Sequence, residues 1–402
     1  MKRIAIMTGG GDCAGINAFI AAAVRHGILK YGAEFVGIRK AYEGAVSDRI
    51  ADYLLPLTLD GVKGLECCPS TILESSRSFP FSRENTAKGL PEKLIANLRS
   101  LGIEAVLSTG GNDTIKTGML LSTRGFPVIC APKSIDNDVS GTDTMLGFKT
   151  AVAFGAEAVR STINSARTHR RISVVEVMGR EAGWLALEIG MAASADLILI
   201  PERPVSLERV CAAVQRIYEQ QNNVNIVIAE GVRFAADDPV LNKAKAESQV
   251  VRALLEENLG TDCHGNCKLG GVGQILRRII KIQLGLAKLE EVRCTDLGFS
   301  LRGLPPVAED INLGTRFGIA AVDRLYAGES GIMVGIQGPG GFVGQDQPGT
   351  VNQGSDERGP LPFPAGDLPW AVVQAVIQSN PLKKMVGAIP GGDSGDRRAG
   401  NE

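Results

Sequence analysis

Ser134-Ile135-Asp136-Asn137-Asp138 sets two carboxylates two residues apart, with Lys133 and a hydroxyl just ahead of them. This grouping suits metal-assisted phosphoryl transfer. One carboxylate can take the proton of an attacking hydroxyl while the other anchors Mg²⁺. Asp-Asn-Asp also forms Asx turns unaided, so the motif alone leaves a plain turn equally open. Gly9-Gly10-Gly11-Asp12-Cys13-Ala14-Gly15-Ile16-Asn17 offers backbone that an anion can approach closely. A helix starting beyond it would add free N–H donors and a positive dipole end. A tight turn would explain the same glycines. The stretch lacks GxGxxG spacing, and no GxxxxGK[ST] loop occurs anywhere in the chain. Gly110-Gly111-Asn112-Asp113-Thr114 is a second loop of this kind. Ser75-Ser76-Arg77, Arg171 and Glu176-Val177-Met178-Gly179-Arg180 supply arginines, whose planar fork fits phosphate. A surface ion pair is the default for any one of them. Glu176, and Glu230 in Ala229-Glu230-Gly231, suit either sugar hydroxyls or structural N–H groups.

Most of these residues follow short apolar runs, while Arg171 precedes one. Arg3–Thr8, 105–108, 128–131, 172–177, 197–200 and 224–228 read as buried strands. Residues 17–29, 90–101, 150–166 and 207–220 read as helices. Strand–helix alternation predicts an α/β fold of mainly parallel sheets with helices on both faces. In such sheets ligands lie beyond the C-terminal strand ends, where the five loops after strands fall.

With 402 residues, two or three compact units are expected. The 43 Lys and Arg against 44 Asp and Glu leave a net charge of -1, which removes the electrostatic ground for nucleic-acid binding. No run of about 18 apolar residues predicts a membrane span. The N-terminus lacks the features of a signal peptide, and the irregular cysteines do not form a secreted disulfide framework. A cytoplasmic protein is expected. From about Gly335 the chain becomes rich in Gly, Pro, Gln and Asp, too polar to order itself, although 370–377 has helical spacing that suits docking.

Taken in order, GGGD, SSR, GGND, PKSIDND, EVMGR, AEG and LR resemble the phosphofructokinase family over roughly residues 1 to 335. The resemblance implies two Rossmann-like three-layer domains with the active site in the cleft between them. Residues 1–147 with about 300–335 would hold the phosphoryl donor and Mg²⁺, and 148–299 the sugar phosphate; 336–402 would be a partly disordered extension. It also implies a homodimer or homotetramer with shared sites. Asp136 would take the proton from the C1 hydroxyl of fructose 6-phosphate, with Lys133, Arg77 and Arg180 offsetting charge on the transferred group. Gly11, Gly111, Asp113 and Thr114 would meet the donor. Asn112, Asp113 and Asp138 would lie near Mg²⁺. Ser134, Met178, Gly179, Arg180, Glu230, Phe299 and Arg302 match sugar-phosphate contacts within one subunit, and Arg171 and Arg293 match the two lent by a neighbour.

Asp113 and Lys133 stand where nucleotide-using relatives carry glycine, which resembles the pyrophosphate-dependent branch. An aspartate adds volume and negative charge where an ATP α-phosphate would lie, and a lysine can stabilise a leaving phosphate. Several residues depart from the family pattern: Asn112 for an acidic residue, Phe299 for His or Tyr, Leu301 and Leu304 in the QRGG stretch, and Lys149 for an aspartate. They keep open another acceptor such as sedoheptulose 7-phosphate and a weakly catalytic regulatory subunit, while an ATP-dependent enzyme is the alternative to the pyrophosphate reading. Cys263-His264-Gly265-Asn266-Cys267 resembles half a metal site, with no second half at zinc spacing. The basic stretch 269–282 reads as a surface or interface helix.

Overall fold

The computed structural model describes residues 1–256, 260, 269–286, 291–337 and 341–344. They form two sheets. The first contains β1 (Arg3–Thr8), β2 (Glu34–Ile38), β3 (Leu54–Leu57), β4 (Ala105–Gly110) and β5 (Val128–Pro132). The second contains β6 (Ile172–Val177), β7 (Leu197–Leu199), β8 (Val224–Ala229) and β9 (Val292–Asp296). The chain then returns to the first sheet with β10 (Ile332–Gln337) and β11 (Gly341–Gly344).

Strand order is β11-β10-β5-β4-β1-β2-β3 in the first sheet and β7-β8-β6-β9 in the second. All pairings are parallel except β2–β3 and β10–β11, which are antiparallel edge pairs. The register sets Met7 beside Ser108 and Ile38, and Val175 beside Val227 and Thr295. The polar segment past Gly335 therefore does not begin as loose chain. Ile336 and Gln337 continue β10, and β11 folds back on it, because edge pairing satisfies backbone groups that a polar sequence would otherwise leave to water.

Alternation along the strands divides the core. Ile4, Ile6, Leu107 and Ile129 face an apolar cluster that also contains Phe148 and Val159 of the helix Phe148–His169, together with Val174, Ile226 and Ile228 of the second sheet. The two sheets thus share one core. Ala5, Met7, Val36, Val106 and Val128 face the other side, under Leu94 and Leu98. The helix Val272–Gln283 buries Ile275, Leu276, Ile279 and Ile280 along one face, and Arg277 Nε donates to the Val292 carbonyl at 2.7 Å. Its arginine stem lies along apolar surface while the head finds backbone, a use that charge counting does not reveal.

The chain crosses between the sheets twice, and one carboxylate joins the crossings. Asp310, fully buried near the start of the helix Ala308–Tyr326, accepts from the N–H of Gly147 (3.0 Å), the N–H of Thr150 (2.8 Å) and the Thr150 hydroxyl (2.5 Å). It thereby supplies acceptors to orphan donors at the start of the helix Phe148–His169. Burial raises its pKa, and these bonds work against that rise.

Candidate active site

Three loops after strands of the first sheet meet at its C-terminal edge, where the order turns outward from β1 and β4. Glycines allow the approach. A Cβ on Gly9 or Gly110 would overlap the Thr114 side chain, so these two glycines admit Thr114 between the loops. Gly111 precedes the helix Asn112–Ser122, whose first-turn N–H groups form an anion-attracting end.

The third loop turns through side-chain bonds to backbone, one of them an ST turn at Ser134. Asn137, at φ 54°, turns inward, donates to the Asp143 carbonyl at 3.2 Å and accepts from the Met145 N–H at 3.0 Å. Ser134 accepts from the Asp136 N–H at 3.2 Å and donates to Asp136 Oδ2 at 3.1 Å. Asp136 is 5% exposed, and its Oδ1 is buried with no hydrogen-bond partner. A buried carboxylate oxygen left unpaired costs on the order of 1–3 kcal/mol or more, so the loop holds an acceptor ready for a donor from outside.

Lys133 is also buried, and its Nζ donates to the Gly11 carbonyl. Burial lowers its pKa, the Cys13 thiol acts against the shift, and the Arg302 charge adds to it. Gly10, Gly11, Arg77, Gly111, Asn112, Asp113, Thr114, Lys133, Ser134, Asp136, Asp138, Arg180 and Arg302 line one cavity. Twelve of these thirteen are residues singled out from the sequence above as site candidates; Gly10 lies within a loop singled out there. Asp12, Tyr42, Ser76 and Ser78 line it too. Asp12 and Ser76 lay in loops already noted, but Tyr42 carried no signal. It reaches the cavity from a helix, Ala41–Ala45, and its hydroxyl is 3.1 Å from Ser108 Oγ.

From the second sheet, the loop after β6 reaches the same cavity through Arg180, which sits at φ 53°. Glu230 holds that turn, its Oε1 accepting from the N–H groups of Arg180 (2.9 Å) and Gly179 (3.2 Å). A Cβ on Gly231 would overlap the Arg180 carbonyl, which accounts for the glycine after this glutamate. Burial raises the Glu230 pKa, the Arg180 backbone bond opposes it, and the nearby Asp136 charge adds to it. Glu176 binds structural N–H groups instead: its oxygens accept from Gly271 and Gly273, each at 2.8 Å.

The remaining candidates lie elsewhere. Met178, Gly179, Glu230 and Phe299 are not among the residues that line the cavity. Arg171 precedes β6 and Arg293 is the second residue of β9, beside Ser173. Both are at the opposite strand ends, roughly 20 Å from Met178 along β6. Lys149 pairs with Glu188 at 3.1 Å, and Leu301 is buried. The segment 263–267 lies outside the described residues, as does 370–377.

Residues 3–325 match the family described as Phosphofructokinase. This chain belongs to the phosphofructokinase family. It is 40% identical over 336 residues to the pyrophosphate–fructose 6-phosphate 1-phosphotransferase of Amycolatopsis methanolica, covering 84% of this chain and 91% of that protein. It is 36% identical over 337 residues to ATP-dependent 6-phosphofructokinase 3 of Streptomyces coelicolor, with the same coverage of 84% and 91%. Among solved structures, phosphofructokinase from Saccharomyces cerevisiae aligns with TM-score 0.67 and 28% identity, over 84% of this chain and 43% of that one. This chain therefore spans less than half the length of the yeast polypeptide. Family membership accounts for the two-sheet α/β architecture and for a phosphotransferase activity.

Proposed function

We propose that this chain moves a phosphoryl group from pyrophosphate to the C1 hydroxyl of fructose 6-phosphate, giving fructose 1,6-bisphosphate in glycolysis. The observation that carries this reading is the buried, unpartnered Oδ1 of Asp136 in a cavity shared with Lys133, Arg77, Arg180 and Arg302. The sugar hydroxyl supplies the missing donor. Asp136 takes its proton as the oxygen attacks phosphorus, and Arg77 and Arg180 offset the charge of the group in transit. Lys133 faces the leaving phosphate. A unit charge about 4 Å away at an effective dielectric of about 20 is worth roughly 4 kcal/mol, enough to favour a donor without a nucleoside. Asp113 on the facing loop adds negative charge where a nucleotide would continue.

Residues 1–147 with about 300–335 hold the donor in this reading, and 148–299 hold the sugar phosphate. Among the described residues no three His, Cys, Asp or Glu converge to cage an ion. Mg²⁺ does not require a cage, since one or two carboxylates beside phosphates and water suffice. Asp138 and Asp113 would hold it, with Asn112, whose Nδ2 lies 3.3 Å from Asp138 Oδ2, orienting the carboxylate. When bound it supplies positive charge to the phosphate oxygens. Met178, Gly179 and Glu230 shape the turn that presents Arg180 to the sugar phosphate. Arg171 and Arg293 serve the site of a second copy in a homodimer or homotetramer. The free Cys13, Cys67, Cys68, Cys130, Cys211 and Cys294 suit a reducing compartment, and no described helix is long and apolar enough to cross a membrane. We place the enzyme in the cytoplasm.

The test is a phosphoryl-transfer assay crossing pyrophosphate and ATP with fructose 6-phosphate and sedoheptulose 7-phosphate. Turnover with pyrophosphate and fructose 6-phosphate is expected. Turnover with ATP alone would overturn the donor, and preference for the seven-carbon sugar would overturn the acceptor.

A further inference from the structure

Cys67 and Cys68 are adjacent in the chain, and both are exposed. Cys67 ends the single helical turn Leu65–Cys67, and Cys68 follows in extended backbone at φ -81° and ψ 140°. Successive Cα atoms lie about 3.8 Å apart across a trans peptide, short of the roughly 4.4–6.8 Å that a disulfide spans. The pair therefore resists closing on itself, whereas an atom placed between the two sulfurs adds the missing reach. The other free cysteines among the described residues differ. Cys13, Cys130 and Cys211 are buried and Cys294 is half-buried, and burial pushes all four thiols up to about 12, which keeps them protonated at neutral pH.

The segment that carries the pair also fastens the Gly9–Asn17 loop. The buried Asn17 amide donates to the carbonyls of Cys68 (3.2 Å) and Pro69 (3.0 Å), and its Oδ1 accepts from the Ile72 N–H at 3.0 Å. The Ser70 hydroxyl donates to Asp12 Oδ2 at 2.8 Å, and Asp12 lines the cavity. Ser70 sits at φ 55°, a left-handed conformation that costs energy for a residue with a Cβ, so its contact with Asp12 depends on the neighbouring backbone being held.

We infer that Cys67 and Cys68 form a vicinal dithiol site for a trivalent arsenical, and that its occupation is transmitted through Cys68, Pro69 and Ser70 to the Gly9–Asn17 loop. When an organoarsenous oxide is captured, each sulfur forms a bond to arsenic and the As=O bond breaks. The two thiol protons leave with its oxygen as water. Arsenic stays trivalent, so the step needs no oxidant or reductant. Capture is independent of the proposed catalytic reading, whereas its effect on donor use rests on that reading.

The experiment treats the full chain with phenylarsine oxide and counts the thiols that still titrate under native conditions. Cys263 and Cys267 are a second close pair in sequence, outside the described residues, so both are replaced by serine in the protein used throughout. Loss of two thiols is expected, reversed by dithiothreitol and not by mercaptoethanol. Cys67→Ser and Cys68→Ser, each made alone, should abolish stable capture while keeping the same melting temperature and KM values. The arsenical should raise the pyrophosphate KM severalfold, with a smaller change for fructose 6-phosphate, and should leave both variants unaffected. Absence of capture, or capture that survives either substitution, overturns the site. Capture with no change in the donor KM overturns the transmission. A chain that turns over ATP and not pyrophosphate overturns the donor reading alone, and the transmission is then read from the ATP KM.

Discussion

The guanidinium of Arg302 occupies the space that a side chain on Gly11 would fill. The obstruction is the far end of a flexible side chain, so a methyl group there can be accommodated by moving the arginine. Gly11→Ala should therefore change stability by less than about 1 kcal/mol, as for substitutions outside a packed core, while raising the pyrophosphate KM severalfold. Paired urea melts and donor titrations test this. A large loss of stability would show that the glycine is needed for the turn itself.

Asp136→Asn keeps the shape of the loop and removes the proposed base. Turnover should fall by about 10²- to 10⁴-fold, the usual worth of a general base, while fructose 6-phosphate binding stays within a few-fold. Steady-state kinetics with equilibrium titration separates the two. An unchanged rate would remove Asp136 from the chemistry.

Lys133→Met should separate stability from function. Burial depresses the Lys133 pKa, so the folded chain bears the cost of a buried charge below that pKa and sheds it as pH rises through it. Methionine removes this cost and also the bond to the Gly11 carbonyl, so the two changes should leave stability within about 1 kcal/mol of the parent. Pyrophosphate use should collapse. The parent's pyrophosphate affinity should also decline with rising pH before the ordinary lysine range is reached, and the variant should show no such decline.

Gly231→Ala sets a methyl group against the backbone carbonyl of Arg180, which cannot step aside as a side chain can. A loss of about 1–3 kcal/mol is expected, as for overpacking elsewhere, with a higher KM for fructose 6-phosphate because Arg180 is displaced. Normal stability would mean that the turn after β6 relaxes freely.

Asp323 provides a pH test remote from the cavity. Burial pushes its pKa up, but hydrogen bonds from His26 (2.6 Å), Lys30 (2.9 Å) and Tyr31 (2.8 Å) prevail and hold it at about 2, below the ordinary 3.8. A depressed carboxyl contributes stability that is fully present above its unfolded pKa and lost as pH falls through the folded one. The group is more than a third exposed, so solvent screening limits the contribution to about 1 kcal/mol or less. Asp323→Asn should melt lower at pH 7, with the difference shrinking as the pH falls and vanishing below about 2.

The strands with continuous apolar runs, β1, β4, β5, β6 and β8, were legible in the sequence, because burial on both faces leaves little room for polar residues. β2, β3, β9 and β10 were less so. β3 contains Pro56, β9 is Val-Arg-Cys-Thr-Asp, and their pairing is decided by neighbours distant in sequence. Within the site, loop motifs announced themselves through glycines and charges. Tyr42 did not, since a tyrosine in a short helix looks like any core aromatic. The occupation of Glu230 by backbone N–H groups was equally hidden, because the alternatives differ only in what folds against it. The contact between Phe299 and Arg302, whose guanidinium lies 5.3 Å from the ring centroid, was hidden because spacing along the chain says nothing of ring orientation.

Asp310 bears on how the molecule could move. Gly147 and Thr150 lie on the outgoing crossing, Val307 and Asp310 on the returning one, and the Val307 N–H donates to the Thr150 hydroxyl at 3.1 Å. Both crossings are thus tied at one point. If the halves swing, that knot is the natural pivot, so residues far from it would travel farthest while those beside it barely shift.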